Sequence, residues 1–145
     1  VAGLTTAAAG AGVALTAARW WEQPPTAPYA YLSADEVEFL DALAEAALPA
    51  GGTPSLGGAG ADVGRYLDVV LAGMVGWQRS LVRLSMHALD NLARASHGVP
   101  FHALPAADAQ AQLRDWLTTP VHAQRAIAQS LYLFVVMAWC AHPEV

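Results

Sequence analysis

From Ser33 onward, apolar and polar positions repeat with a helical period, and no stretch alternates strictly in twos. Leu40, Leu43, Ala44, Ala47 and Leu48 recur at helical spacing, with Glu38, Asp41 and Glu45 on the opposite, wet face. Ser33, with Glu36 three residues on, is a capping-box start for this helix. Pro49 ends it, because a proline pushes the residue before it out of helical dihedrals. A loop rich in glycine, GGTPSLGGAG, follows. Val63, Tyr66, Leu67, Val70 and Leu71 then set out a second helix.

Gly76 breaks the register before a long helix from about Trp77 to His97. Trp77, Leu81, Leu84, Ala88 and Leu92 form its apolar seam, and Arg79, Arg83, Asp90 and Arg94 its wet side. Gly98 suits the position just past the helix end and Pro100 stops continuation, while Phe101 and Leu104 tuck the connection onto the core. Pro105 opens a fourth helix, with Asp108 in its first turn and Leu113, Trp116 and Leu117 as its buried edge. Thr119 and Pro120 repeat that start for a last helix running to about Ala141. Ile127, Leu131, Phe134, Val135 and Ala138 line one face of it, and Tyr132, Val136, Trp139 and Cys140 make the other apolar too. A helix apolar all round but too short to span a bilayer is either the centre of a bundle or half covered by a partner. The pattern therefore predicts an all-α fold, a compact bundle of about five helices over residues 33–145.

Two segments precede that domain. Residues 1–21 begin with an uncharged, mildly apolar run to Ala18, about 27 Å long as a helix. Its Gly, Ala and Thr content fits either the apolar region of an export signal or a transmembrane anchor with a stripe of small residues. A soluble alanine-rich helix is the alternative. Arg19, Trp20 and Trp21 follow at once, a candidate membrane-interface cluster. Residues 22–32 form a linker whose three prolines should hold it extended, separating the anchor from the domain.

Composition sharpens the picture. Hydrophobic residues make up 55% and charged residues 13%, against about 25% charged in an ordinary soluble domain. So little charge favours a surface shared with a membrane or another subunit. Net charge is −5 and the basic residues are all arginine, scattered without a stripe, which argues against nucleic-acid binding. The single cysteine, Cys140, excludes an internal disulfide and is expected to be a buried small hydrophobe.

Chemistry is sparse. The five histidines show no HExxH spacing, and no pair of Glu-x-x-His motifs offers a di-iron site. The glycine-rich loop lacks the GK[ST] ending of a phosphate loop and follows a helix. Asp35, Glu36, Glu38, Asp41 and Glu45 read as a solvated face. Catalytic, cofactor-binding and metal residues are accordingly assigned to none. The faces around Tyr66, Trp77, Trp116 and Trp139 are candidate partner-interface positions, with core packing as the competing assignment for each.

The run LxxLAxAxLPA, its Gly/Pro loop with a TP step, the YLDxxL helix, the Leu81 to Leu117 segment and the closing LYLFVVMAWCAHPEV resemble the gluconate 2-dehydrogenase subunit 3 family. The resemblance spans roughly Ser33 to Val145. It implies a non-catalytic accessory subunit beside a large flavin-dependent oxidoreductase of the glucose–methanol–choline type. The partner holds FAD, and a cytochrome c subunit often takes the electrons. It also implies a twin-arginine export signal, whose arginine pair would precede Val1, and a place on the periplasmic side of the bacterial inner membrane. Family members usually continue past the HPEV step, which puts the contacts of such a tail in doubt here. The alternatives are a structural subunit of the same fold in a respiratory or photosynthetic complex, and a helical domain that binds a small ligand or acts on it.

Overall fold

The computed structural model describes residues 22–51, 56–143 and 145, and among them it contains five α-helices, two one-turn 3₁₀ segments and no strand. The helices are α1 (Ala34–Ala47), α2 (Val63–Ala72), α3 (Gly76–His97), α4 (Ala106–Thr118) and α5 (His122–Ala141); the short turns are Gly58–Ala61 and Phe101–Ala103. Their limits fall where the punctuation puts them. α1 is capped by Ser33 and closes at Leu48, before Pro49. α3 stops at Gly98, whose φ of 78° is the left-handed conformation that glycine reaches without a Cβ penalty. α4 begins one residue after Pro105, and α5 begins at His122 rather than at Pro120.

The centre of the bundle is α1. It packs against all four other helices and both short turns. Phe39, Leu40, Leu43 and Ala44 are buried on it, and Phe39 meets Phe101 with ring centroids 5.6 Å apart. Phe101 in turn lies 4.9 Å from the ring of Trp116, so the short turn after α3 carries an aromatic plug between α1 and α4. The all-apolar character of α5 therefore does not mark a central helix. α5 buries Ala128, Leu131, Val135 and Ala138 and leaves Leu133, Met137 and Cys140 exposed. That corrects the buried assignment of Cys140, which lies on the side of the helix away from the Leu131–Val135–Ala138 line.

The glycine-rich loop comes close to the end of α1. Gly58 N–H donates to the Leu48 carbonyl at 2.7 Å, and a Cβ at Gly58 would overlap the Ala44 carbonyl. Trp139 reaches across from α5, its indole Nε1–H donating to the Leu56 carbonyl at 2.8 Å. Asp62 ends the loop in a left-handed conformation (φ 47°) and caps α2 by accepting from Arg65 N–H.

The proline-rich run lies against the domain. Leu32 is buried, and Tyr29 and Tyr31 pack on the core. Asp68 on α2 accepts from the backbone N–H groups of Ala30 (2.9 Å) and Tyr31 (2.8 Å), and Gln23 Nε2 donates to Asp35 at 2.8 Å. Thr26 N–H closes on the Leu32 carbonyl. Residues 1–21, with the expected anchor helix and Arg19, Trp20 and Trp21, lie outside the described residues. Among the described residues no helix is long and apolar enough to cross a membrane.

Candidate docking surface

The rotation of α3 is set by a buried carboxylate on α1. Glu36, assigned from sequence to the solvated face, is 1% exposed. Its Oε1 accepts from Arg83 Nε at 2.7 Å and from His87 Nε2 at 3.0 Å, and its Oε2 accepts from Ser33 N–H at 2.8 Å. Burial alone would raise its pKa; the bonds from His87, Arg83 and the Ser33 amide outweigh burial and hold the carboxyl below its ordinary value. Glu38 and Asp41, one turn on, do remain exposed. The burial of Glu36 comes from Arg83 and His87, about fifty residues away in the chain, which close over it.

With Arg83 and His87 drawn inward, the expected seam of α3 is turned out. Val82 and the buried Met86, Leu89 and Ala93 pack inward, while Trp77, Leu81, Leu84 and Leu92 are between 38% and 68% exposed. The inversion has a simple cause. α3 carries two apolar stripes, and the charged flank between them is committed to partners inside the domain. Arg79 stacks over Tyr31 at 4.7 Å, Asp90 accepts from Phe101 N–H at 2.8 Å and from Arg94 Nε at 2.9 Å, and His97 meets Gln112 on α4 at 2.8 Å. At 100° per residue these titratable residues all fall within ~80° of arc. The remaining outward arc holds Trp77, Gln78, Ser80, Leu81, Leu84, Ser85, Ala88, Asn91, Leu92, Ala95 and Ser96, none of them charged.

Of the four aromatic candidates, only Trp77 stands out into solvent, at 68% exposure. Trp116 is 1% exposed and belongs to the core, since its ring closes the plug with Phe101. Trp139 is half-buried and holds the glycine-rich loop. Tyr66 packs on the core beside an open cleft of about 560 Å³ lined by Asp62, Arg65, Val69, Ala138 and His142. That cleft brings a carboxylate and a guanidinium to its rim, beside the Tyr66 phenol and the His142 imidazole. No group of three or more His, Cys, Asp or Glu among the described residues is placed to hold a metal ion.

The exposed surface is thus a whole helix face, of which the sequence pointed to the Trp77 end. Its signal was available: eleven outward positions without a charge, in a helix whose charges are gathered on one flank. What this face can do chemically is exclude water against something equally apolar.

No curated protein and no solved structure matches the chain. Residues 34–144, from the first residue of α1 through α5, match the family described as gluconate 2-dehydrogenase subunit 3. That span includes Glu36, the whole α3 arc and the glycine-rich loop. The chain is accordingly a member of the gluconate 2-dehydrogenase subunit 3 family, one subunit of a dehydrogenase assembly.

Proposed function

We propose that this chain is a non-catalytic accessory subunit that stabilises, exports and membrane-tethers a large flavin-dependent oxidoreductase of the glucose–methanol–choline type. The single observation that carries this reading is the uncharged outward arc of α3 on a chain whose family is a dehydrogenase subunit. On the order of 500 Å² of apolar surface lies along that arc, at the upper end of what free monomers leave uncovered. Burying it against a large subunit would stabilise both chains. FAD and the hydride chemistry belong to that partner, and a cytochrome c subunit takes the electrons. The apolar run before Arg19 supplies the export signal or anchor, placing the assembly on the periplasmic side of the bacterial inner membrane.

Gentle detergent extraction of the tagged full chain, followed by identification of what co-purifies, tests this. Recovery of a flavin-containing subunit in stoichiometric amount is expected. Recovery with pigment proteins or respiratory cytochromes, and no flavoprotein, overturns it.

A further inference from the structure

We infer that residues 23–32 form a strap closed to endopeptidases, so that proteolytic removal of the run before it stops upstream of Gln23 and leaves the strap on the domain. The inference stands on the strap's own bonds and holds whichever partner the chain serves.

An endopeptidase takes its substrate as an extended strand, paired edge to edge through the substrate's backbone N–H and C=O groups. Water then adds across the C–N bond of one peptide unit, leaving a new carboxylate and a new amine. A segment enters such a site only if its backbone polar groups are free or can be freed at low cost.

Residues 24–33 offer few such donors. Pro24, Pro25 and Pro28 have no N–H at all. Of the other seven residues, five spend theirs inside the domain. Thr26 N–H donates to the Leu32 carbonyl and Tyr29 N–H to the Thr26 carbonyl; Ala30 and Tyr31 donate to the two oxygens of Asp68, and Ser33 to Glu36. The first two of these bonds fold the run back on itself, the opposite of the extended form that a proteolytic cleft requires.

Side chains fasten the same run along its length. Gln23 Nε2 donates to Asp35 at 2.8 Å. Tyr29 lies on Gly64 of α2, where a Cβ would come within 3.2 Å of its hydroxyl oxygen, and Tyr31 lies under Arg79 of α3. Leu32 is fully buried. Opening the strap far enough for cleavage therefore breaks contacts to α1, α2 and α3 together. Asp68 carries the largest share, because one carboxylate holds two successive amides and hydrogen bonds to a charged group are the stronger kind. The matched family region begins at residue 34, past the strap, so a chain trimmed to that boundary would lose all of these ties.

Prolines slow cleavage on their own account, so the test has to separate composition from folding. The detergent-solubilised full chain is digested with an endopeptidase that cuts after aromatic residues, and the products are weighed over time. Such an enzyme is offered Trp20 and Trp21 before the strap and Tyr29 and Tyr31 within it. From the wild-type chain the trimmed products are expected to begin at Trp21 or Glu22, with none beginning at Ala30 or Leu32 while the domain is intact. Asp68→Ala keeps all three prolines and should speed cutting after Tyr29 and Tyr31 on the order of tenfold or more. Cutting after the buried Trp116 should stay unchanged. Wild-type products that begin at Ala30 or Leu32 overturn the inference. So do equal rates in the two chains, which would assign the resistance to the prolines, and a matching rise at Trp116, which would make the effect a loosening of the whole domain.

Discussion

Replacing Glu36 by glutamine removes one charge and changes almost no volume, so its effect isolates the electrostatics that orient α3. In the native domain one oxygen receives Arg83 and His87 and the other receives the Ser33 amide. A glutamine must turn its NH₂ toward one of these sets, and either way a donor faces a donor. Breaking a fully buried pair costs about 3–5 kcal/mol. Arg83 and His87 keep 18% and 13% of their side-chain surface in contact with solvent, so water compensates in part, and about 3 kcal/mol is the expected loss. For a domain of this size that corresponds to a drop in Tm of about 10 °C.

Thermal melts followed at 222 nm, at pH 7 and at steps down to pH 3, read both the loss and its pH dependence. The sign follows from the folded carboxyl titrating below its unfolded counterpart. The stabilisation is complete above the unfolded value, near pH 4.3, and disappears as pH falls through the folded one. The gap between wild type and Glu36→Gln should therefore close in acid. A variant that melts within 2 °C of wild type at neutral pH, or a gap that stays constant to pH 3, would show that the cluster does not hold α3 in place.

Other substitutions separate the roles of the remaining elements. Gly58→Ala drives a methyl group into the Ala44 carbonyl and should cost about 2 kcal/mol or more in chemical denaturation; an unchanged midpoint would mean the loop does not need this close approach. Asp68→Ala removes the acceptor for two backbone amides, and faster hydrogen exchange is expected at Ala30 and Tyr31 while α5 amides keep their protection. Trp116→Ala should lose about 3–5 kcal/mol of stability, and Trp77→Ala less than about 0.5 kcal/mol. Equal losses at the two tryptophans would contradict the assignment of one to the core and the other to the surface.

The helix boundaries were legible because prolines and glycines act locally. Pro49, Gly98 and Pro105 each constrain dihedrals within a residue or two, so their effect can be read without knowing the fold. The facing of α3 was not legible in the same way. Trp77, Leu81, Leu84, Ala88 and Leu92 make a stronger apolar line than Val82, Met86, Leu89 and Ala93, and periodicity alone chooses the stronger. What overrules it is a pairing across nearly fifty residues, Glu36 with Arg83, which no local pattern encodes. Glu36 itself was misplaced for a related reason: its neighbours Glu38 and Asp41 do face solvent, and an N3 glutamate commonly does too. Trp139 could not have been told from a docking residue, since its role depends on the Leu56 carbonyl eighty-three positions away.

A free chain of ten residues would give about 17 Å of slack between a tether and the body it holds. Here Gln23, Thr26, Ala30 and Tyr31 are each tied down, the last two to a single aspartate. A pull transmitted from upstream of Glu22 is therefore felt at once by the first turn of α1 and by α2. Whatever holds Glu22 thus acts without slack on the first turn of α1 and on α2, and through α1 on the helix it packs against.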